Sequence, residues 1–73
     1  MRLKEFDCGY YNTPNSFGRV TVRERPDGRF DVVYVRYGRT AQGLVKSESV
    51  VAVYSDLAQA KAAGWELSRA LGA

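Results

Sequence analysis

Residues 17–37, FGRVTVRERPDGRFDVVYVRY, constrain the fold more than any other stretch of the chain. Two alternating runs meet at Pro26-Asp27-Gly28. Pro presets φ there, Asp caps its own backbone and Gly takes the left-handed position, which together make a hairpin turn. Pairing Arg25 with Arg29 across the turn sets the register. Val22 then faces Val32, Val20 faces Tyr34 and Glu24 faces Phe30. The other face carries Arg19, Thr21, Arg23 and Arg25 opposite Val35, Val33, Asp31 and Arg29, with Phe17 near Tyr37. One face reads as core. The other is basic and apolar at once, which suits a binding surface.

At 73 residues the chain is one domain, spanning 1–73. A chain of this size buries only about 60% of its unfolded surface, so it needs a good core or a partner. Hydrophobic content of 45% and charged content of 26% are those of a globular protein and exclude disorder. No apolar run approaches the ~20 residues of a membrane span. Met1-Arg2-Leu3-Lys4-Glu5-Phe6 carries no apolar signal segment, so a cytoplasmic location and no membrane partner are expected. The single cysteine, Cys8, allows no internal disulfide and reads as a small buried apolar residue in a reducing compartment.

Punctuation divides the rest. A first strand is expected at about 2–8, then a loop from Gly9 to Ser16 rich in Gly, Asn, Pro and Ser. The hairpin strands take about 17–25 and 29–37. Gly38 to Ser47 reads as a second loop or ragged strand containing Leu44-Val45, and Val-rich 49–54 as a fourth strand. A helix is expected at about 56–71, capped by Ser55 and stopped by Gly72. Leu57, Ala60, Gly64, Leu67 and Leu71 form its apolar stripe. Gly64 costs about 1 kcal/mol against Ala in a helix, so a close approach to the sheet is expected there. The order implies an α+β fold: a four-stranded antiparallel sheet with one C-terminal helix packed on one face.

The chain has no His, which removes the commonest general base and metal ligand. With one Cys as well, Cys/His zinc sites and Cys–His catalysis are excluded. Glu5 and Asp7 alternate on the first strand and read as solvated carboxylates. Asp31 reads as an ion-pair partner of Arg23. The run from Gly38 to Ser47 fails the phosphate-loop pattern, because Leu44 and Val45 separate Gly43 from Lys46 and a strand follows. A non-catalytic protein without cofactor or metal is expected.

Charge is concentrated in residues 17–46, where Arg19, Arg23, Arg25, Arg29, Arg36, Arg39 and Lys46 face only Glu24, Asp27 and Asp31. Six of the seven cations are Arg, the residue suited to phosphate forks and aromatic stacking. Such a patch points to nucleic acid or an acidic protein surface; a merely solvated basic face is the competing reading. Tyr10, Tyr11 and Phe17 lie beside it, either as stacking platforms for bases or as plugs of the sheet edge. Trp65, on a helix flank with Ala58, Ala62 and Arg69, is either an interface anchor or a cover for the sheet edge.

Arg29-Phe30-Asp31-Val32-Val33-Tyr34-Val35-Arg36-Tyr37, followed by Val51-Ala52-Val53-Tyr54-Ser55-Asp56-Leu57-Ala58-Gln59-Ala60, resembles the arm-type (AP2-like) DNA-binding domains of phage integrases. The resemblance covers about residues 17–71 and rests on the order of elements, not on a specific motif. It implies a sheet lying in the DNA major groove with the helix behind it, and Arg19, Thr21, Arg23, Arg25 and Arg29 facing DNA. Val33 and Val35 depart from the polar surface of a groove reader. In size the chain is also similar to phage-encoded anti-CRISPR and other anti-defence proteins, which implies a host cytoplasm.

Two functions are therefore expected. One is nucleic-acid binding, DNA ahead of RNA or within a nucleoprotein complex, through Arg19, Thr21, Arg23, Arg25 and Arg29, with Arg36, Arg39 and Lys46 extending the track. The other is a protein-binding inhibitor or homodimeric adaptor using Val33, Val35 and Tyr37, or Trp65 and Arg69.

Overall fold

At the tip of the central hairpin, the Arg25 N–H donates to the Arg29 carbonyl at 2.8 Å and the Gly28 N–H to the Arg25 carbonyl at 3.1 Å. Gly28 has φ +86°, the left-handed conformation the turn requires. The register follows as expected, with Val22 opposite Val32, Val20 opposite Tyr34 and Thr21 opposite Val33. These are features of a computed structural model, which describes residues 3–14 and 16–72.

Four strands pair in chain order as one antiparallel sheet: β1 (Glu5–Asn12), β2 (Ser16–Glu24), β3 (Phe30–Thr40) and β4 (Gly43–Tyr54). One helix, α1 (Leu57–Gly72), packs on one face, chiefly over β1. The fold is α+β, as expected.

Several boundaries differ from expectation. β1 starts three residues later than the expected 2–8 and runs on through Tyr10 and Tyr11 to Asn12, in the stretch read as loop. Arg2, the expected first residue of that strand, lies outside the described residues. β3 continues to Thr40 and β4 begins at Gly43, so the segment read as a ragged loop is a tight hairpin. The helix cap is Asp56, not Ser55: its Oδ1 accepts the Ala58 N–H at 3.3 Å, and its carbonyl accepts the Ala60 N–H at 3.0 Å.

The core lies between α1 and β1–β3. Val20, Val22, Val32 and Ala60 are fully buried there, with Cys8 beside them. Burying each Val contributes about 1.5–3 kcal/mol. Cys8 is an extra residue in β1, because Asp7 pairs with Thr21 while Gly9 pairs with Val20. This bulge points Cys8 at the helix. Gly64 answers it: a Cβ there would lie 2.7 Å from the Cys8 Sγ. The Cys8 carbonyl accepts the Ser68 hydroxyl at 3.1 Å, tying helix to bulge. Burial pushes the Cys8 thiol pKa up, against a weaker downward pull from Lys61.

Gly18 makes the second close approach. Tyr11 on β1 lies over it, and a Cβ at Gly18 would run into the Val35 carbonyl oxygen and, at 2.8 Å, the Tyr11 ring. The Tyr11 and Tyr34 hydroxyls share a 2.6 Å hydrogen bond, which satisfies both beyond the end of the valine core.

Candidate functional site

The face of the sheet away from α1 carries the residues singled out for binding, and neighbouring strands change their character. Glu5 and Asp7 arrive from β1 and Glu48 from β4. Arg19 sits 3.7 Å from Glu5 and 3.8 Å from Asp7. Arg23 lies 3.3 Å from Glu5 and 3.6 Å from Glu48. Arg25 lies 3.2 Å from Asp31 and 3.6 Å from Asp27. Three guanidiniums thus share five carboxylates. Asp31 pairs with Arg25, not with Arg23 across the ladder as expected. Partial burial works against the charge on Arg23, but Glu5 and Glu48 outweigh it and raise its pKa. Hydrogen bonding to Lys46, then the charge of Arg23, holds the Glu48 carboxyl below the usual carboxylate range.

This ion-paired layer roofs what was expected to be an apolar contact surface. Val33 is 1% exposed and Val35 is fully buried, so neither can touch a partner. Thr21 is also fully buried, with its hydroxyl unpartnered, and cannot face DNA. The aliphatic stems of the arginines account for the cover: long charged side chains lay apolar carbons over a surface and keep their heads in water.

The remaining expected residues do not form one track. Arg29 is exposed at the hairpin tip, 3.9 Å from Asp27. Arg36 pairs with Gly18 and Ser47, so alternation places it on the opposite face from Arg19 and Arg23. Lys46 lies 3.3 Å from Glu48. Arg39 donates to the carbonyls of Thr13 and Pro14 at 3.1 and 3.3 Å and stacks 5.0 Å from the centroid of Phe17. Phe17 in turn stacks on Tyr37 with centroids 5.1 Å apart and planes 13° from parallel. Tyr10, exposed, donates its hydroxyl to Asp7 at 3.1 Å. Tyr10, Phe17, Gly18, Arg19 and Tyr37 line a cleft of about 310 Å³. Trp65 and Arg69 are exposed on the helix. Lys61, one turn before Trp65, covers the Phe6 ring of β1 at 4.4 Å, so this flank faces the β1 side of the sheet.

The surface that the sequence reading missed is β4. It is an edge strand, and every residue from Gly43 to Val51 is exposed. Leu44 (59%), Val45 (57%), Val50 (56%) and Val51 (50%) are large apolar side chains left in water. The short Ala41-Gln42-Gly43 break between two β-rich runs, a turn ending in Gly, is the local signal for where this strand begins. Among the described residues, no group of three or more Cys, Asp or Glu is placed to hold a metal ion, and no helix is long and apolar enough to cross a membrane.

No family model, no curated protein and no solved structure matches the chain.

Proposed function

We propose that the protein is a non-catalytic binding module that takes a protein partner along β4. One observation carries this reading: a 12-residue edge strand with its backbone unpaired on one side and large apolar side chains on both faces. Folded proteins blunt such edges with short strands, prolines, bulges, charged side chains or a covering element, because an open edge templates pairing with another chain. β4 has a bulge at Val51 and charges at Lys46 and Glu48, and the edge from Gly43 to Val50 stays regular between its turn and that bulge. Here the helix sits over the other side of the sheet and leaves the edge open. Strand addition supplies affinity through main-chain hydrogen bonds and specificity through alternate side chains.

A site-resolved crosslinking series tests this. A photo-reactive side chain at Val50 is expected to crosslink a protein partner in the producing cell, and one at Gln59, on the exposed helix face, is not. Lys46→Pro removes a backbone donor from the strand edge and is expected to abolish the Val50 crosslink. Crosslinks at Gln59 alone, or a Val50 crosslink indifferent to Lys46→Pro, would sink the reading.

A second reading rests on the Phe17–Tyr37 stack with Arg39 over it and Tyr10 beside it. Aromatic faces next to a guanidinium are how single-stranded nucleic acid is held. The ion-paired Arg19, Arg23 and Arg25 give this reading no phosphate track, so it depends on that corner alone. A fluorescently labelled single-stranded oligonucleotide is expected to bind at low salt and weaken as salt rises, with Arg39→Ala and Tyr37→Ala reducing affinity. Affinity unchanged by salt or by those substitutions counts against it.

A further inference from the structure

We infer that the partner strand on β4 is the β4 of a second copy of this chain, paired antiparallel about a two-fold axis through Ser47. The inference rests on the edge-strand reading above and names its occupant.

The backbone sets which groups are free. The Glu24 N–H donates to the Lys4 carbonyl at 2.9 Å, on the β1 side, while the Arg25 N–H donates to Arg29, on the β3 side. Antiparallel alternation then carries through the sheet. Odd-numbered residues of β3 turn their backbone groups to β2, and even-numbered ones turn to β4. Gly38, Arg36 and Tyr34 pair with Val45, Ser47 and Ser49, so those three β4 residues bond inward. Leu44, Lys46, Glu48 and Val50 are left with N–H and C=O pointing off the edge.

The same four residues put their side chains on one face. Lys46 and Glu48 lie opposite Tyr37 and Val35, and Leu44 and Val50 opposite Arg39 and Val33. A two-fold axis at Ser47 sets Lys46 against Glu48 of the second copy, Glu48 against its Lys46, and Leu44 against its Val50. All four outward-bonding residues meet outward-bonding residues, and each of their side-chain pairs is either opposite in charge or apolar on both sides; on the other face Val45 meets Ser49 and Ser47 meets Ser47. Moving the axis by one residue destroys this. On Lys46 it opposes two lysines; on Glu48 it opposes two glutamates. Like charges directly opposite are destabilising, and opposite charges or apolar pairs contribute favourably. The sequence of β4 is therefore complementary to itself in one register.

Light scattering over a concentration series, combined with cysteine crosslinking, tests the inference. The wild-type protein is expected to pass from monomer to dimer with rising concentration. Lys46→Glu is expected to weaken the dimer on the order of 10-fold, since it creates two like-charge pairs. Ser47→Cys sits on the axis at a non-hydrogen-bonded position, where Cα atoms are about 4.5 Å apart, within disulfide reach. With added oxidised glutathione it is expected to link two chains. Val45→Cys and Ser49→Cys are expected to link only when mixed. The wild-type chain, whose Cys8 is buried, is the unlinked control.

A monomer at every concentration, or a dimer that Ser47→Cys fails to link, overturns the second-copy inference. If the Val50 crosslink then carries the mass of a different protein, the edge reading survives without it. If that crosslink is absent too, both fall.

Discussion

Val33 and Val50 are cross-strand neighbours on the same face of the same sheet, yet one is 1% exposed and the other 56%. Their chemistry is identical, so the difference is positional. Val33 has a strand on each side, and from those strands Arg23 and Glu48 meet above it at 3.6 Å. Val50 has a strand on one side only. Cover on this face comes from the side chains of flanking strands, with no second layer, and the last strand receives half a cover. A second β4 would give Val50 the flank it lacks.

The largest expected effect breaks the covered half. Gly18→Ala drives a Cβ into the Val35 carbonyl and the Tyr11 ring, separating β2 from its neighbours. It is expected to lower stability by about 3 kcal/mol, the upper range for overpacking, as read by urea denaturation. Next, Val33→Ala is expected to cost about 2 kcal/mol through the buried space it empties, while Val50→Ala costs under about 0.5 kcal/mol in dilute protein. Equal losses at the two sites would erase the contrast. If Val50→Ala costs more as concentration rises, the contrast is sharpened, because Val50 is then covered by association.

The helix side offers a control of different origin. Gly64→Ala gains about 1 kcal/mol of helix propensity but sets a methyl 2.7 Å from the Cys8 Sγ. A net loss of about 1 kcal/mol is expected, partly recovered by adding Cys8→Ala. Additive losses in that pair would mean the two residues do not press on each other.

The smallest effect is a pH dependence. Glu48 has a folded-state pKa below its ordinary value of about 4.3. Its contribution to stability is therefore fully present above that value and is lost as pH falls through the lower, folded one. Acid denaturation of Glu48→Gln is expected to show a flatter profile there than the wild type. Identical profiles would show that Glu48 adds nothing to the roof over Val33.

The turn, the central register, the strand count and the helix stripe were legible in the sequence because each has its own local signal. Pro26-Asp27-Gly28 names the turn, and Leu57, Ala60, Gly64 and Leu71 name the buried helix face. The bulge at Cys8 was not legible, since one inserted residue reverses the alternation, and the Gly, Asn, Pro and Ser around Tyr10 and Tyr11 made that stretch read as loop. The free charge of the arginine face was misjudged for a related reason. Counting charge along residues 17–46 leaves out Glu5, Asp7 and Glu48, which only strand pairing brings to the arginines. Periodicity assigned Val33 and Val35 to the correct face but could not show what lies over it.

Strand order equal to chain order has a consequence for the time course of folding. Each hairpin can zip from its own turn with little chain to close, which favours rapid formation of the sheet. The helix, last in the chain, must then come back to the first strand. Until it does, Val20, Val22 and Val32 stand uncovered. A sheet formed ahead of the helix therefore carries one bare apolar side until residues 57–72 dock on it.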